Sequence, residues 1–226
     1  MHVLISFLMA VIPAVLLIYY FYHKDQVGRK SKRLLIKIFL LGIIYTLPVY
    51  GLEQIVSLIN QQFKGSQILF YLFESFVVAG LCEEYIKLRI VKKYAYPTDH
   101  FRQVYDGIMY TVTASLGFAC MENIVYVING TLSTALNRGF TAVPMHAISS
   151  GMMGYYIGRA RFASTTKDEH VFMATGLWIA IFIHGIYDLL VMIAPLYGSI
   201  FSSIAIAFVA IVFLRLRTRI NQTLND

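Results

Sequence analysis

Apolar residues fall along this chain in long blocks separated by short polar stretches. A membrane-crossing helix needs roughly 20 mostly apolar residues. Blocks near that length occupy 2–22, 36–60, 68–91, 105–128, 141–158, 171–193 and 199–214. The pattern predicts an all-α, polytopic transmembrane bundle of about seven spans. The connecting stretches are too short for a separate soluble domain, so 1–226 reads as a single transmembrane domain. The first block has no basic residue before it and no small-residue cleavage site after it, and reads as a retained helix. The clearest loop is Lys92–Val104, which contains Pro97. Tyr19, Tyr20, Tyr22, Tyr155 and Tyr156 sit where interfacial aromatic belts are expected. No internal repeat or low-complexity segment is visible.

Composition narrows the class. Of 226 residues, 58% are hydrophobic and only 14% are charged, where soluble domains carry roughly 25% charged residues. A soluble fold of this size cannot hide so much apolar surface. An ordinary cytosolic domain, a disordered chain and a disulfide scaffold are therefore excluded. The net charge of +7 is better explained by basic cytoplasmic loops than by a nucleic-acid partner. Sixteen of the 19 lysines and arginines fall on one side: Lys24–Arg33, Lys87–Arg102, Arg159–Lys167 and Arg215–Arg219. Lys64 and Arg138 fall in the opposite loops, and Lys37 at a helix end. This bias predicts an external N-terminus and a cytoplasmic C-terminus. The two cysteines, Cys82 and Cys120, lie inside apolar stretches and make no disulfide framework.

The informative residues are the polar ones inside the spans, because an ionisable group near the bilayer centre costs roughly 2.5–3.5 kcal/mol on insertion scales. Glu83 and Glu84 are adjacent, so they point about 100° apart and can both line a cavity. Lys87 can pair with either of them or snorkel to the surface. Two acids in low dielectric push one proton affinity up, which suits acid–base work. His184 and Asp188 stack on one helix face, where the aspartate can fix the imidazole tautomer or share a metal. Glu122 and Asn123 can orient a water or a histidine, or simply bond neighbouring helices. His146 stands alone after Pro144, with Ser149 and Ser150 a turn later. Glu53 and Glu74 have no partner at helical spacing and read as packing or interfacial groups. Cys82 has no basic neighbour, as an inert buried thiol would not. Neither serine begins a Gly-x-Ser-x-Gly elbow.

The ordered series Glu83-Glu84-x-x-Lys87, Phe118-x-x-x-Glu122-Asn123, His146 and His184-x-x-x-Asp188 resembles the PrsW family of bacterial membrane proteases, distant relatives of the CAAX-prenyl endopeptidases. The resemblance covers roughly residues 70–190. CAAX enzymes usually follow their Glu-Glu pair with an arginine one residue farther on. Lys87 departs from that, favouring the PrsW side. The resemblance implies that Glu83, Glu84 and His184 are essential and that Glu122, His146 and Asp188 support them. It also implies a multi-pass protein of the bacterial cell membrane. Its substrate would be a single-span anti-sigma factor, cut on the extracytoplasmic side in the first of two cleavages that release a sigma factor.

The expected chemistry is water-mediated peptide hydrolysis. Either Glu83 or Glu84 serves as general base, with His146, His184 or Asn123 stabilising the oxyanion. A rival version places a zinc ion on histidines and a glutamate. The sequence has no His-Glu-x-x-His, and the metal-free version is the expectation. Such a site needs a water-filled cavity among the helices. A proton- or ion-coupled transporter is the principal alternative, since intramembrane Glu and His chains also make relays. No pair of Gly/Pro-broken helices recurs in two halves, as that class would require. A retinal protein would need a lysine deep in the last span, and 199–214 has none.

Overall fold

The computed structural model describes residues 2–24, 31–60, 66–129 and 132–225, and every regular element among them is helical. In chain order these are α1 (His2–Lys24), α2 (Lys32–Asn60), α3 (Gln67–Phe73), a π-helical segment (Glu74–Leu81), α4 (Cys82–Tyr94), α5 (Val104–Asn129), α6 (Leu132–Phe140), α7 (Ala142–Arg161), α8 (Thr166–Tyr197) and α9 (Ile200–Asn225). Arg29, Lys30 and Lys64, which enter the loop-charge pattern, lie outside the described residues.

Among the described residues four stretches are long and apolar enough to cross a membrane: Lys32–Ile59, Val104–Tyr126, Thr166–Tyr197 and Ile200–Leu224. Val11–Lys24 is a shorter apolar helix. The blocks expected at 68–91 and 141–158 do form helices, but of a different character. The first is one rod built from α3, the π segment and α4, and its apolar run is interrupted by Glu83, Glu84 and Lys87. The second, α7, is rich in glycine, serine and alanine and is buried along most of its length. A helix surrounded by protein does not need the hydropathy of one facing lipid.

The centre of the bundle is α5, which packs against α7, α2 and α1, while α7 packs on α8 and the π segment packs on α8. Small residues allow the central approach. A Cβ at Gly107 of α5 would run into the Gly154 carbonyl and Gly158 backbone of α7, and one at Gly158 would meet the Val104 carbonyl. Gly154-x-x-x-Gly158 is the small-residue spacing that lets membrane helices touch backbone to backbone. The same device joins α2 to α5, where Gly42 faces the Ala114 carbonyl and Gly117 faces that of Phe39. Around this centre the outward faces of α2, α8 and α9 expose Ile44, Leu47, Trp178, Phe182, Ile211 and Leu214. That arrangement suits a hydrocarbon solvent.

Several boundaries differ from the apolar blocks. Helix α8 begins earlier than expected, at a Thr165 cap whose hydroxyl accepts the Asp168 N–H at 3.1 Å. It ends at Gly198, whose φ of 110° suits glycine and makes the turn into α9. Helix α9 runs on to Asn225 and carries Arg215, Arg217 and Arg219 on a continuous helix. The segment Leu132–Phe140, whose apolar run is too short to register as a span, forms the separate helix α6. Tyr155, expected in an interfacial belt, is buried against α9, with the Arg219 guanidinium over its ring at 5.1 Å.

The glycine contacts make a direct prediction. Gly107→Ala should destabilise the detergent-solubilised protein by about 1–3 kcal/mol, because the added methyl meets backbone that cannot rotate away. Gly51→Ala, where nothing lies within 4 Å of the new Cβ, should be neutral or stabilising. Thermal unfolding followed by circular dichroism distinguishes the two.

Candidate active site

The paired acids emerge directly from the π segment. A π turn is wider than an α turn, and such turns often sit at functional sites. Here it lies against α8, where the Phe76 ring covers Gly185, the residue after His184. A side chain at 185 would collide with that ring, so glycine beside His184 lets the two helices close. Glu83 and Glu84 follow in the first turn of α4, and Lys87 one turn later.

Lys87 has no solvent exposure. Its ammonium donates to Glu83 Oε2 at 3.0 Å and to Glu84 Oε1 at 2.9 Å, and lies 3.0 Å from His146 Nδ1. Those contacts account for its three protons. The Phe118 ring lies 4.7 Å from the same ammonium. Phe118 therefore contributes a cation–π contact one turn before Glu122.

Each histidine is gripped from behind by a carboxylate. His146 Nε2 lies 2.9 Å from Glu122 Oε2, and His184 Nδ1 lies 2.9 Å from Glu84 Oε1. Assigning a ring N–H to each of these bonds leaves one lone pair on His146 Nδ1, which the Lys87 ammonium approaches at 3.0 Å, and one on His184 Nε2. Both point to the same place: Glu83 Oε2 is 3.7 Å from the first and 3.9 Å from the second. Asp188 Oδ2 adds a contact of 3.2 Å to His184 Nε2. Glu84 is completed by Ser150, whose hydroxyl donates to Oε2 at 2.8 Å, and by Ser149, 3.3 Å from Oε1. Glu122 is completed by Arg138, which donates through Nη2 to Oε1 at 2.7 Å and through Nε to Asn123 Oδ1 at 2.8 Å.

This arrangement fits a divalent cation on two grounds. Glu83, His146 and His184 are all buried and offer one donor atom each, all within 4.8 Å of one another. That is a two-histidine, one-carboxylate set, with each imidazole backed by a second carboxylate as metal-binding histidines usually are. Formal charge agrees: the network holds Glu83, Glu84, Glu122 and Asp188 against Lys87 and Arg138. Two negative charges are left without a fixed cation, and with a neutral His184 its Nε2 faces two carboxylates across 3.2 and 3.9 Å.

Of the three donors, Glu83 opens onto a cavity of about 690 Å³ whose wall also includes Glu122, Asp188, Arg138, Glu53 and Glu74. Glu83, Glu84, Glu122, His146, His184 and Asp188 thus meet in one connected network. Asn123 is fully buried, holds Arg138 and is not part of the cavity wall. Glu74 accepts a hydrogen bond of 2.9 Å from Ser57 of α2, so the partner absent at helical spacing comes from another helix. The least legible member of the network was Arg138. In sequence it is one of two basic residues assigned to outer loops, and only the folding of α6 turns it toward Glu122. Ser149 and Ser150 were visible only as poor nucleophiles, whereas their hydroxyls serve as donors to Glu84.

Comparison with known proteins agrees with this chemistry. Residues 30–215 match the model of a family described as PrsW family intramembrane metalloprotease. The chain is 32% identical to Protease PrsW of Geobacillus kaustophilus over 188 residues, covering 83% of this chain and 80% of that protein. It is 35% identical to Protease PrsW of Clostridioides difficile (83% and 79% covered) and 34% identical to that of Bacillus subtilis (78% of each). No solved structure matches the chain. With a family match over most of its length, and apolar helices around a buried Glu/His centre, this multi-pass membrane protein belongs to the PrsW family of intramembrane proteases.

Proposed function

We propose that this protein cleaves a membrane-anchored anti-sigma factor on the extracytoplasmic side of the bacterial plasma membrane, as the first of two cuts that release a sigma factor. The bundle is read as seven spans, with the N-terminus outside and the C-terminus in the cytoplasm. The resemblance of the ordered Glu, His and Asp positions to PrsW supports the substrate class, and the one-sided lysines and arginines support the orientation. No described element forms a separate soluble domain, so substrate selection falls to the helix-lined cavity and short loops.

The single observation that carries the chemistry is the convergence of His146 Nδ1, His184 Nε2 and Glu83 Oε2. In this reading those three groups hold a zinc-like divalent ion. A bound ion of that kind polarises the scissile carbonyl and raises the acidity of a water. Glu122 and Glu84 fix the tautomers of His146 and His184, so that each presents a lone pair to the centre. Arg138 holds Glu122 in place, and Ser150 holds Glu84. Within the acid pair the roles divide: Glu83 meets the cavity, while Glu84 is occupied on both oxygens behind it.

A metal-free reading has one specific observation in its favour. The Lys87 ammonium already lies 3.0 Å from both His146 Nδ1 and Glu83 Oε2, a cation drawing on the same donors. In that version a protonated His184 bridges Glu84 and Asp188, and Glu83 activates the water.

Three experiments test these readings. Purified protein should cleave a tagged single-span anti-sigma substrate, lose that activity in a strong chelator and regain it with zinc. Full activity in the chelator would exclude the metal reading. Glu83→Gln and His184→Ala should remain in the membrane, yield no substrate fragment on co-expression and bind less metal by elemental analysis. Arg138→Ala, which frees Glu122 behind His146, should reduce cleavage about 10–100-fold, the usual cost of losing a group that orients a metal-binding histidine.

A further inference from the structure

Five carboxylates face the cavity: Glu53, Glu74, Glu83, Glu122 and Asp188. Four have partners already described. Glu83 meets Lys87, Glu122 meets Arg138 and His146, Asp188 meets His184, and Glu74 accepts from Ser57. Glu53 of α2 differs. Its Oε1 is withdrawn from solvent and has no hydrogen-bond partner, the only carboxylate oxygen in that state among the described residues. A buried carboxylate oxygen without a donor is expensive. It is tolerable where the donor comes from something the fold does not itself hold, such as a water or a substrate amide. Glu53 lines the same cavity as Glu83 and Glu122. Upstream on the same helix Pro48 lacks a backbone N–H, and nothing lies within 4 Å of a Cβ at Gly51.

We propose that Glu53 is a catalytic residue, the carboxylate that takes a proton from the attacking water and passes it to the leaving amine. This rests on the protease reading in which Glu83 is a ligand. Glu84 and Glu122 are each bonded through both oxygens, so neither is free for that task. In the step, a water oxygen forms a bond to the peptide carbonyl carbon, one water proton moves to Glu53, and the carbonyl π pair moves to oxygen. Collapse restores the carbonyl and breaks the C–N bond. Glu53 returns its proton to the departing nitrogen, and the remaining water proton leaves with the carboxylic acid product. Glu53 ends as it began.

The test uses the full-length, metal-loaded protein in detergent with a tagged single-span substrate that the wild type cleaves. Failure of the wild type to cleave, or to bind metal, strikes the protease or metal reading and is seen before any variant is made. With both in hand, Glu53→Gln should lower kcat about 10²–10⁴-fold. Its KM and its metal content by elemental analysis should stay unchanged, and Glu53→Asp should recover part of the lost rate. A Glu53→Gln protein with wild-type kcat, one with reduced metal content, or an aspartate variant no faster than the glutamine variant overturns the proposal.

Discussion

A lysine ammonium without solvent contact, shared between two adjacent carboxylates and a histidine nitrogen, is the interaction on which the rest of this structure depends. Glu83 and Glu84 cannot sit side by side inside an apolar bundle unless a cation lies between them. Lys87 supplies it from the next turn of the same helix. Removing one partner from a buried pair of this kind costs about 3–5 kcal/mol, because the charge left behind is uncompensated. Around it Arg138 answers Glu122, and the two imidazoles link one acid to another.

That network needs five helices to meet closely, and the sequence provides for it away from the charges. Gly107, Gly154 and Gly158 let α5 and α7 touch through their backbones, which brings the Glu122 helix to the His146 helix. Gly185 accepts the Phe76 ring and closes α8 onto the π segment, which brings His184 to Glu84. In lipid, apolar side chains gain little by leaving one hydrocarbon for another, so close packing and interhelical hydrogen bonds must hold the bundle. The glycines supply the first and the charged network the second. Stability and chemistry therefore share the same residues.

Commitment separates the roles of chemically identical groups. Glu84 is enclosed by Lys87, His184, Ser149 and Ser150, and its work is to hold. Glu83 faces the cavity beside two imidazole lone pairs. Glu53 lines the same cavity with an oxygen that none of the described residues satisfies. The expectation that either member of the pair might activate water came from their adjacency. Their hydrogen-bond partners, from α7 and α8, distinguish them.

Much was legible in the sequence because the bilayer imposes a one-dimensional rule. Long apolar blocks must be helices, and a charge inside one must be compensated or used. From that rule the helical class, the paired acids, Lys87, and the His184–Asp188 spacing could all be read, since each lies within one block or one turn. Groups whose meaning depends on another helix could not be assigned. Arg138 looked like a loop charge until α6 turned it inward. Glu74 looked unpaired until α2 brought Ser57 to it. Asn123 gave no sign that its amide oxygen would accept from Arg138, fifteen positions on. The sequence by itself determined which residues could not remain in lipid uncompensated. Only the tertiary structure decided which of them meet, because helical spacing governs neighbours a turn apart, while contacts across 59 to 100 positions, such as Lys87–His146 and Glu84–His184, depend on how whole helices pack.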